Sequence, residues 1–189
     1  MIRRLMLIPV LALALGGCRP GPDEPAPGPL SSPTTAAVGG PVAFHVRLGA
    51  GETLTARPAG SGGCPALDQR VDLGKAGSVR LVAYASTCEA GDNGQPGNGR
   101  HGVYRGIADI PSDRRSGATT VHTALGEATV FTQPYYECTN SCRNYTEAVA
   151  VIVLDRPADP AYTTLTAYAE KGDATPDRLT AFLREQLTA

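Results

Sequence analysis

The sequence predicts an α+β domain: an antiparallel β-sheet of about six or seven strands with a C-terminal amphipathic helix packed on it. Three observations carry the prediction. Short segments of alternating apolar and polar residues recur along the chain, punctuated by Gly and Pro. One segment, Ala148 to Leu154, is apolar at every position, as a strand covered on both faces must be. The last segment, "TPDRLTAFLREQL", changes the apolar period from two to about 3.6 residues. A mostly-β sandwich with a terminal helix is the alternative reading of the same pattern.

Taken in order, "VAFHVRLGAGETLTARP" alternates Phe44, Val46 and Leu48 with His45 and Arg47, breaks at Gly49-Ala50-Gly51 and resumes at Leu54. Two short strands around a tight turn are expected. "GSVRLVAYASTC" and "HGVYRGIADIP" read as further strands, ending at Cys88 and Pro111. Between them "EAGDNGQPGNGRHG" is turn chemistry without an apolar anchor, so a long exposed loop is expected. "ATTVHTALGEATVFTQPYYE" predicts two strands split near Gly126, with Pro134 at an edge or bulge because it cannot donate to a ladder. "YTTLTAYAEKG" follows the apolar strand as its neighbour. In the final segment Thr175 is a suitable N-cap, Pro176 fits the first helical position and Asp177 complements the helix dipole. Leu179, Phe182, Leu183 and Leu187 fall on one face.

The amino-terminal region has a different organisation. "MIRRLMLIPVLALALGGC" combines Arg3 and Arg4, an apolar run from Leu5 to Leu15, and small residues, which are the parts of an export signal. The run is shorter than the roughly 20 residues that a bilayer span requires. Its ending, Leu15-Gly16-Gly17-Cys18, resembles the lipobox of bacterial lipoproteins. That resemblance implies lipidation of Cys18, cleavage just before it, and anchoring of the mature chain to membrane lipid on the extracytoplasmic face of the cell membrane. Residues 18–42 are rich in Pro, Gly and small polar side chains and are expected to form a disordered tether. The predicted organisation is thus a signal peptide at 1–17, a lipidated tether at 18–42 and a single globular domain at 43–189. Over roughly 117 to 189, strands followed by a terminal helix resemble in layout the PsbP-like sandwich domains of some surface lipoproteins; no residue or activity carries over.

Charge excludes one class of partner. The formal net charge is −1, or −3 once Arg3 and Arg4 leave with the signal, and no basic stripe is present, so nucleic-acid binding is not expected. Cysteine parity is more informative. Five cysteines become four once Cys18 is assigned to lipid, and outside the cytoplasm two disulfides are expected among Cys64, Cys88, Cys138 and Cys142. Nearest-neighbour pairing, Cys64 with Cys88 and Cys138 with Cys142, is favoured among the three possible connectivities.

Motifs that specify a reaction are missing from the sequence. It has no nucleophile elbow, no phosphate-binding glycine loop and no His-Glu-x-x-His pattern. Cys138-x-x-x-Cys142 invites a redox or metal reading, but Thr139-Asn140-Ser141 is good turn material and a staple across a hairpin tip is preferred. The four cysteines lack the spacing of a zinc site, and Asp92-Asn93-Gly94 lacks the ligand spacing of a calcium loop. His45 and His122 read as exposed strand residues. "PSDRRSG", with Asp113, Arg114 and Arg115, reads as a solvated hairpin tip rather than an anion clamp. Arg100 and His101, in the long loop, are the candidate ligand-binding residues, since exposed loops on a rigid sheet commonly carry function. No catalytic residue, metal ligand or cofactor is assigned. The expected protein is a lipid-anchored, non-enzymatic domain that binds a protein or small molecule or serves an envelope accessory role. The alternatives are an exported thiol-redox or copper-handling protein using Cys138 and Cys142, and a hydrolase whose site assembles only in space.

Overall fold

The computed structural model describes residues 32–60, 64–91, 97–170 and 175–189, which lie within one compact unit, Ser31–Ala189. Its strands are β1 (Thr34–Val38), β2 (Phe44–Leu48), β3 (Thr53–Ala56), β4 (Leu67–Asp72), β5 (Ser78–Ala83), β6 (Thr119–Thr123), β7 (Gly126–Cys138), β8 (Cys142–Leu154), β9 (Thr164–Glu170) and β10 (Leu187–Thr188). Helix α1 spans Ser112–Ser116 and α2 spans Pro176–Glu185. The main sheet has the order β3-β4-β5-β9-β8-β7-β6, and a small sheet has the order β1-β2-β10. Every pairing is antiparallel.

The expected antiparallel sheet, of seven strands, and the C-terminal helix are therefore present, with the small sheet as an addition. Strand alternation divides the main sheet into two unlike faces. Val79, Leu81, Ala148, Ala150, Ile152, Leu165 and Ala167 point to one face, where Phe44 and Val46 of β2, Leu187 of β10 and Leu179, Phe182 and Leu183 of α2 close the principal core. Val149, Val151, Tyr168 and Phe131 point to the other, where the connection after β5 supplies Tyr84, Cys88, Tyr104 and Ile110. This two-sided cover explains why β8 and β9 are buried at successive positions. The side chain of Thr175 accepts a hydrogen bond from the Arg178 amide and starts α2 as its sequence predicts.

Three expectations are corrected, and a fourth is met with a change of partner. Residues up to 42 read as tether, yet Thr34–Val38 form β1, paired residue for residue with β2. Val38 is buried at its end, and Phe44 and Val46 supply the apolar drive that this Thr/Ala segment lacks by itself. The two short strands expected around Gly49-Ala50-Gly51 are present, but they belong to different sheets: β2 joins the small sheet and β3 the main one, so the turn carries the chain between layers. "HGVYRGIADIP" is not a strand but an irregular segment with a 3-10 turn at Ile107–Asp109, which inserts Tyr104 and Ile110 as plugs on the second face. "PSDRRSG" forms α1 instead of a hairpin tip.

β7 and β8 outreach their neighbours. β6 pairs β7 only over Gly126 to Val130, and β9 pairs β8 only over Val149 to Val153, whereas β7 and β8 stay paired out to Cys138 and Cys142. The distal half of this hairpin is the scaffold on which the long connection is fastened. At its base Gly126 has φ +147°, and a Cβ there would sit 1.9 Å from the Val153 carbonyl oxygen, so only glycine fits.

Candidate functional site

Polar residues gather on the second face of the main sheet. Gln133 of β7 and Glu147 of β8 are directly paired, and Tyr168 of β9 sits between Val149 of β8 and Arg80 of β5. Glu147 is wholly removed from solvent, and Gln133 is 1 % exposed. A buried carboxylate needs donors. Glu147 has two: Nε2 of Gln133 donates to Oε1, and Nδ1 of His101 lies 2.9 Å from Oε2 and 3.1 Å from Oε1. The imidazole is enclosed between Tyr135 and Tyr168, with ring centroids 4.9 and 4.6 Å away.

The same segment is held at three further points. The Tyr104 hydroxyl donates to Oε1 of Gln133, and the Tyr168 hydroxyl donates to the Gly102 carbonyl. The Thr164 and Thr166 hydroxyls, on adjacent same-face positions of β9, both donate to the Tyr104 carbonyl at 3.3 Å. Gly102 allows this closeness, since a Cβ there would lie 2.7 Å from the Tyr104 hydroxyl oxygen. Burial pushes the phenols of Tyr104 and Tyr168 well above the usual tyrosine range. Both stay neutral and able to donate.

Charged groups continue the belt towards β4. Arg80 forms a two-pronged bond with Asp68, Nε to Oδ1 at 2.9 Å and Nη2 to Oδ2 at 2.7 Å. Burial pulls the Arg80 pKa down, but the bond to Asp68 prevails and holds it above the ordinary arginine range. Arg57 and Arg70 each lie 3.4 Å from Glu170, which also accepts from the Ser78 hydroxyl. Among the described residues no buried side-chain N or O atom lacks a hydrogen-bond partner.

The projecting hairpin is fastened in its own way. Cys138 and Cys142 face each other across the strands with Cα atoms 4.1 Å apart and are joined by a disulfide, so the expected pairing is present. Such a close, directly opposed pair leaves its peptide groups pointing outwards. Asn98 meets both: its Oδ1 accepts from the Cys138 amide and its Nδ2 donates to the Cys138 carbonyl at 3.0 Å. Gly99, with φ +67°, turns so that its amide donates to the Tyr136 carbonyl at 2.9 Å. Two residues earlier on the same side stands Pro134, whose missing N–H therefore takes nothing from the β8 ladder. Tyr135 stacks on Tyr145 at 4.8 Å, whereas Tyr136 is 42 % exposed.

The second disulfide, Cys64–Cys88, also matches the expected pairing, with Cα atoms 5.7 Å apart. On the chain-entropy account it contributes about 3.5 kcal/mol, against about 2 kcal/mol for the five-residue loop of the tip. Cys18 and Asp92-Asn93-Gly94 lie outside the described residues. Arg100 is exposed while its neighbour His101 turns inwards, so the structure separates these two candidates. His45 is exposed, bonded to the Ala189 carbonyl, and His122 is exposed on β6. Among the described residues no group of three or more His, Cys, Asp or Glu side chains is placed to hold a metal, and no helix is long and apolar enough to cross a membrane.

Asn98, Tyr104, Gln133, Glu147 and Tyr168 were not singled out by sequence reasoning. Glu147 alone carried a usable signal, a carboxylate abutting the apolar run from Ala148. The comparisons add no relative: no protein-family model, no curated protein and no solved structure matches the chain.

Proposed function

We propose that this chain is a lipid-anchored extracytoplasmic lipoprotein whose domain serves a non-enzymatic binding or envelope accessory role. Cysteine usage carries the reading. The chain has five cysteines, and all four that follow Cys18 are consumed in two disulfides. Disulfides suit an oxidising compartment outside the cytoplasm, and the leftover thiol is the one that ends the lipobox-like Leu15-Gly16-Gly17-Cys18. Lipid attachment there gives Cys18 a role that pairing does not. Two acyl chains give durable membrane attachment, at about 0.8 kcal/mol for each buried methylene.

The belt around Glu147 supports a binding or accessory role over a reactive one. Its donors and acceptors are spent on one another, which fastens the long connection to the sheet. The test is mass spectrometry of membrane-extracted protein alongside a Cys18→Ala variant. A mature chain beginning at Cys18 and carrying acyl mass, with the variant unprocessed and released from the lipidation route, is the expected result. Normal processing and membrane retention of Cys18→Ala would overturn the anchor.

A further inference from the structure

The two disulfides differ in what surrounds their sulfurs. Cys88 is 3 % exposed and belongs to the apolar cluster of the second face, with Tyr84, Tyr104 and Ile110. An attacking thiolate that reached Cys64 would have to expel the Cys88 thiolate into that cluster, and apolar burial disfavours a thiolate. Cys142 is exposed and Cys138 half-buried, at the tip of a hairpin that projects beyond both neighbouring strands. Attack on Cys142 releases Cys138, and attack on Cys138 releases Cys142, in either case towards solvent.

The tip disulfide is also coupled to the candidate site. Asn98 grips the amide and carbonyl of Cys138 itself, and Gly99 is bonded to Tyr136 two residues away. His101, two residues further along the same segment, is the donor to buried Glu147. Whatever frees Cys138 from its cross-strand partner loosens the first of the attachments that hold Asn98 to His101 on β7.

We propose that Cys138–Cys142 is a thiol–disulfide exchange site for dithiol reductants, and that its opening releases the segment Asn98 to His101 from the edge of β7. One thiolate of the dithiol attacks a sulfur of the pair and forms a mixed disulfide, and the departing cysteine thiolate takes a proton from water. The second thiol of the dithiol then resolves the mixed disulfide. Two electrons pass in all: the protein disulfide becomes two thiols, and the dithiol becomes a disulfide. This inference does not depend on lipidation of Cys18.

The experiment treats the folded, oxidised mature protein with dithiothreitol, traps thiols with iodoacetamide, maps the modified cysteines by mass, and follows exchange of the Gly99 and Cys138 amides. Cys138 and Cys142 are expected to become alkylated about tenfold faster than Cys64 and Cys88. The Gly99 amide is expected to exchange about tenfold faster once they are. A Cys138→Ser, Cys142→Ser double variant should show the fast Gly99 exchange without reductant. Asn98→Ala should show it with the disulfide intact, so that added reductant changes little more. Opening of Cys64–Cys88 first or simultaneously would overturn the exchange site. Selective opening that leaves Gly99 protected, or a double variant as protected as the oxidised protein, would overturn the coupling.

Discussion

His101 and Glu147, 46 positions apart in sequence, meet at 2.9 Å beneath two tyrosine rings, and the carboxylate has no contact with solvent. The pair ties an otherwise irregular connection to β8, an interior strand of the sheet. Deleting Glu147 strands His101, whereas deleting His101 leaves the buried carboxylate with Gln133 as donor. Glu147→Ala leaves both the imidazole N–H and the Gln133 amide without their acceptor, and roughly 3 kcal/mol should be lost. Glu147→Gln keeps the shape and one acceptor and should cost less. In a double-mutant cycle with His101→Ala, urea unfolding should reveal a coupling of about 1 kcal/mol or more. Simple additivity would show the contact to be energetically idle.

The disulfides should rank in the order of their loops. Replacing Cys64 and Cys88 by serine should cost about 3.5 kcal/mol and replacing Cys138 and Cys142 about 2 kcal/mol. Chemical denaturation of the two double variants measures both, and a reversed order would overturn the ranking by loop length.

Asp109 gives the acid limb of stability a specific contributor. The Arg105 side chain, bonded to Asp109 at 2.9 and 3.0 Å, together with the Arg105 amide, holds the carboxyl below its ordinary value of 3.8. A depressed folded-state pKa means that the contribution is complete above 3.8 and is lost as pH falls through the lower, folded-state value. Between those limits Asp109→Asn should show a flatter decline of unfolding midpoint with pH than the parent. Identical slopes would remove Asp109 from the account.

The alkaline limb belongs to tyrosine. Burial raises Tyr84, Tyr104 and Tyr168 above the ordinary 10.0. The protonated phenol is favoured in the folded state, so this contribution is full below pH 10 and declines as pH rises through the folded-state values. Phenolate absorbance from the buried rings should therefore appear only together with unfolding. A single step near pH 10 with the fold intact would contradict the burial of these hydroxyls.

Gly126→Ala tests the base of the long hairpin. A methyl placed 1.9 Å from the Val153 carbonyl oxygen, on backbone with φ +147°, forces either β7 or β8 to shift. A loss of more than about 2 kcal/mol is expected from the unfolding midpoint.

Legibility followed locality. The cap, first turn and buried face of α2 depend on residues within one short stretch, so Thr175, Pro176 and Leu179 announce the helix. The fully apolar Ala148 to Ile152 announces a central strand in the same way. β1 has no such signature, because Thr34 to Ala37 are small or polar and the strand borrows its partner, β2, across a turn. Alternation also misled where burial came without pairing: Tyr104 and Ile110 are plugs inserted from an irregular segment. Both disulfide pairings were legible from spacing and parity. Of the site, His101 could be noticed but not placed, because its environment is assembled from Gln133, Tyr135, Glu147 and Tyr168 on three other strands.

Asn98 has a last consequence, for behaviour at high protein concentration. A hairpin arm that extends past its sheet ordinarily offers a row of unused peptide groups on which a second chain can build, the beginning of aggregation or strand exchange. Along β7 the successive outward positions are Pro134, which has no N–H, Tyr136, whose carbonyl is taken by Gly99, and Cys138, whose amide and carbonyl are both taken by one carboxamide. A single asparagine side chain imitates a neighbouring strand for one residue, just where real pairing has run out. The arm can thus stand clear of the domain, with its tyrosine exposed, while the Tyr136 carbonyl and both peptide groups of Cys138 are withheld from the next molecule.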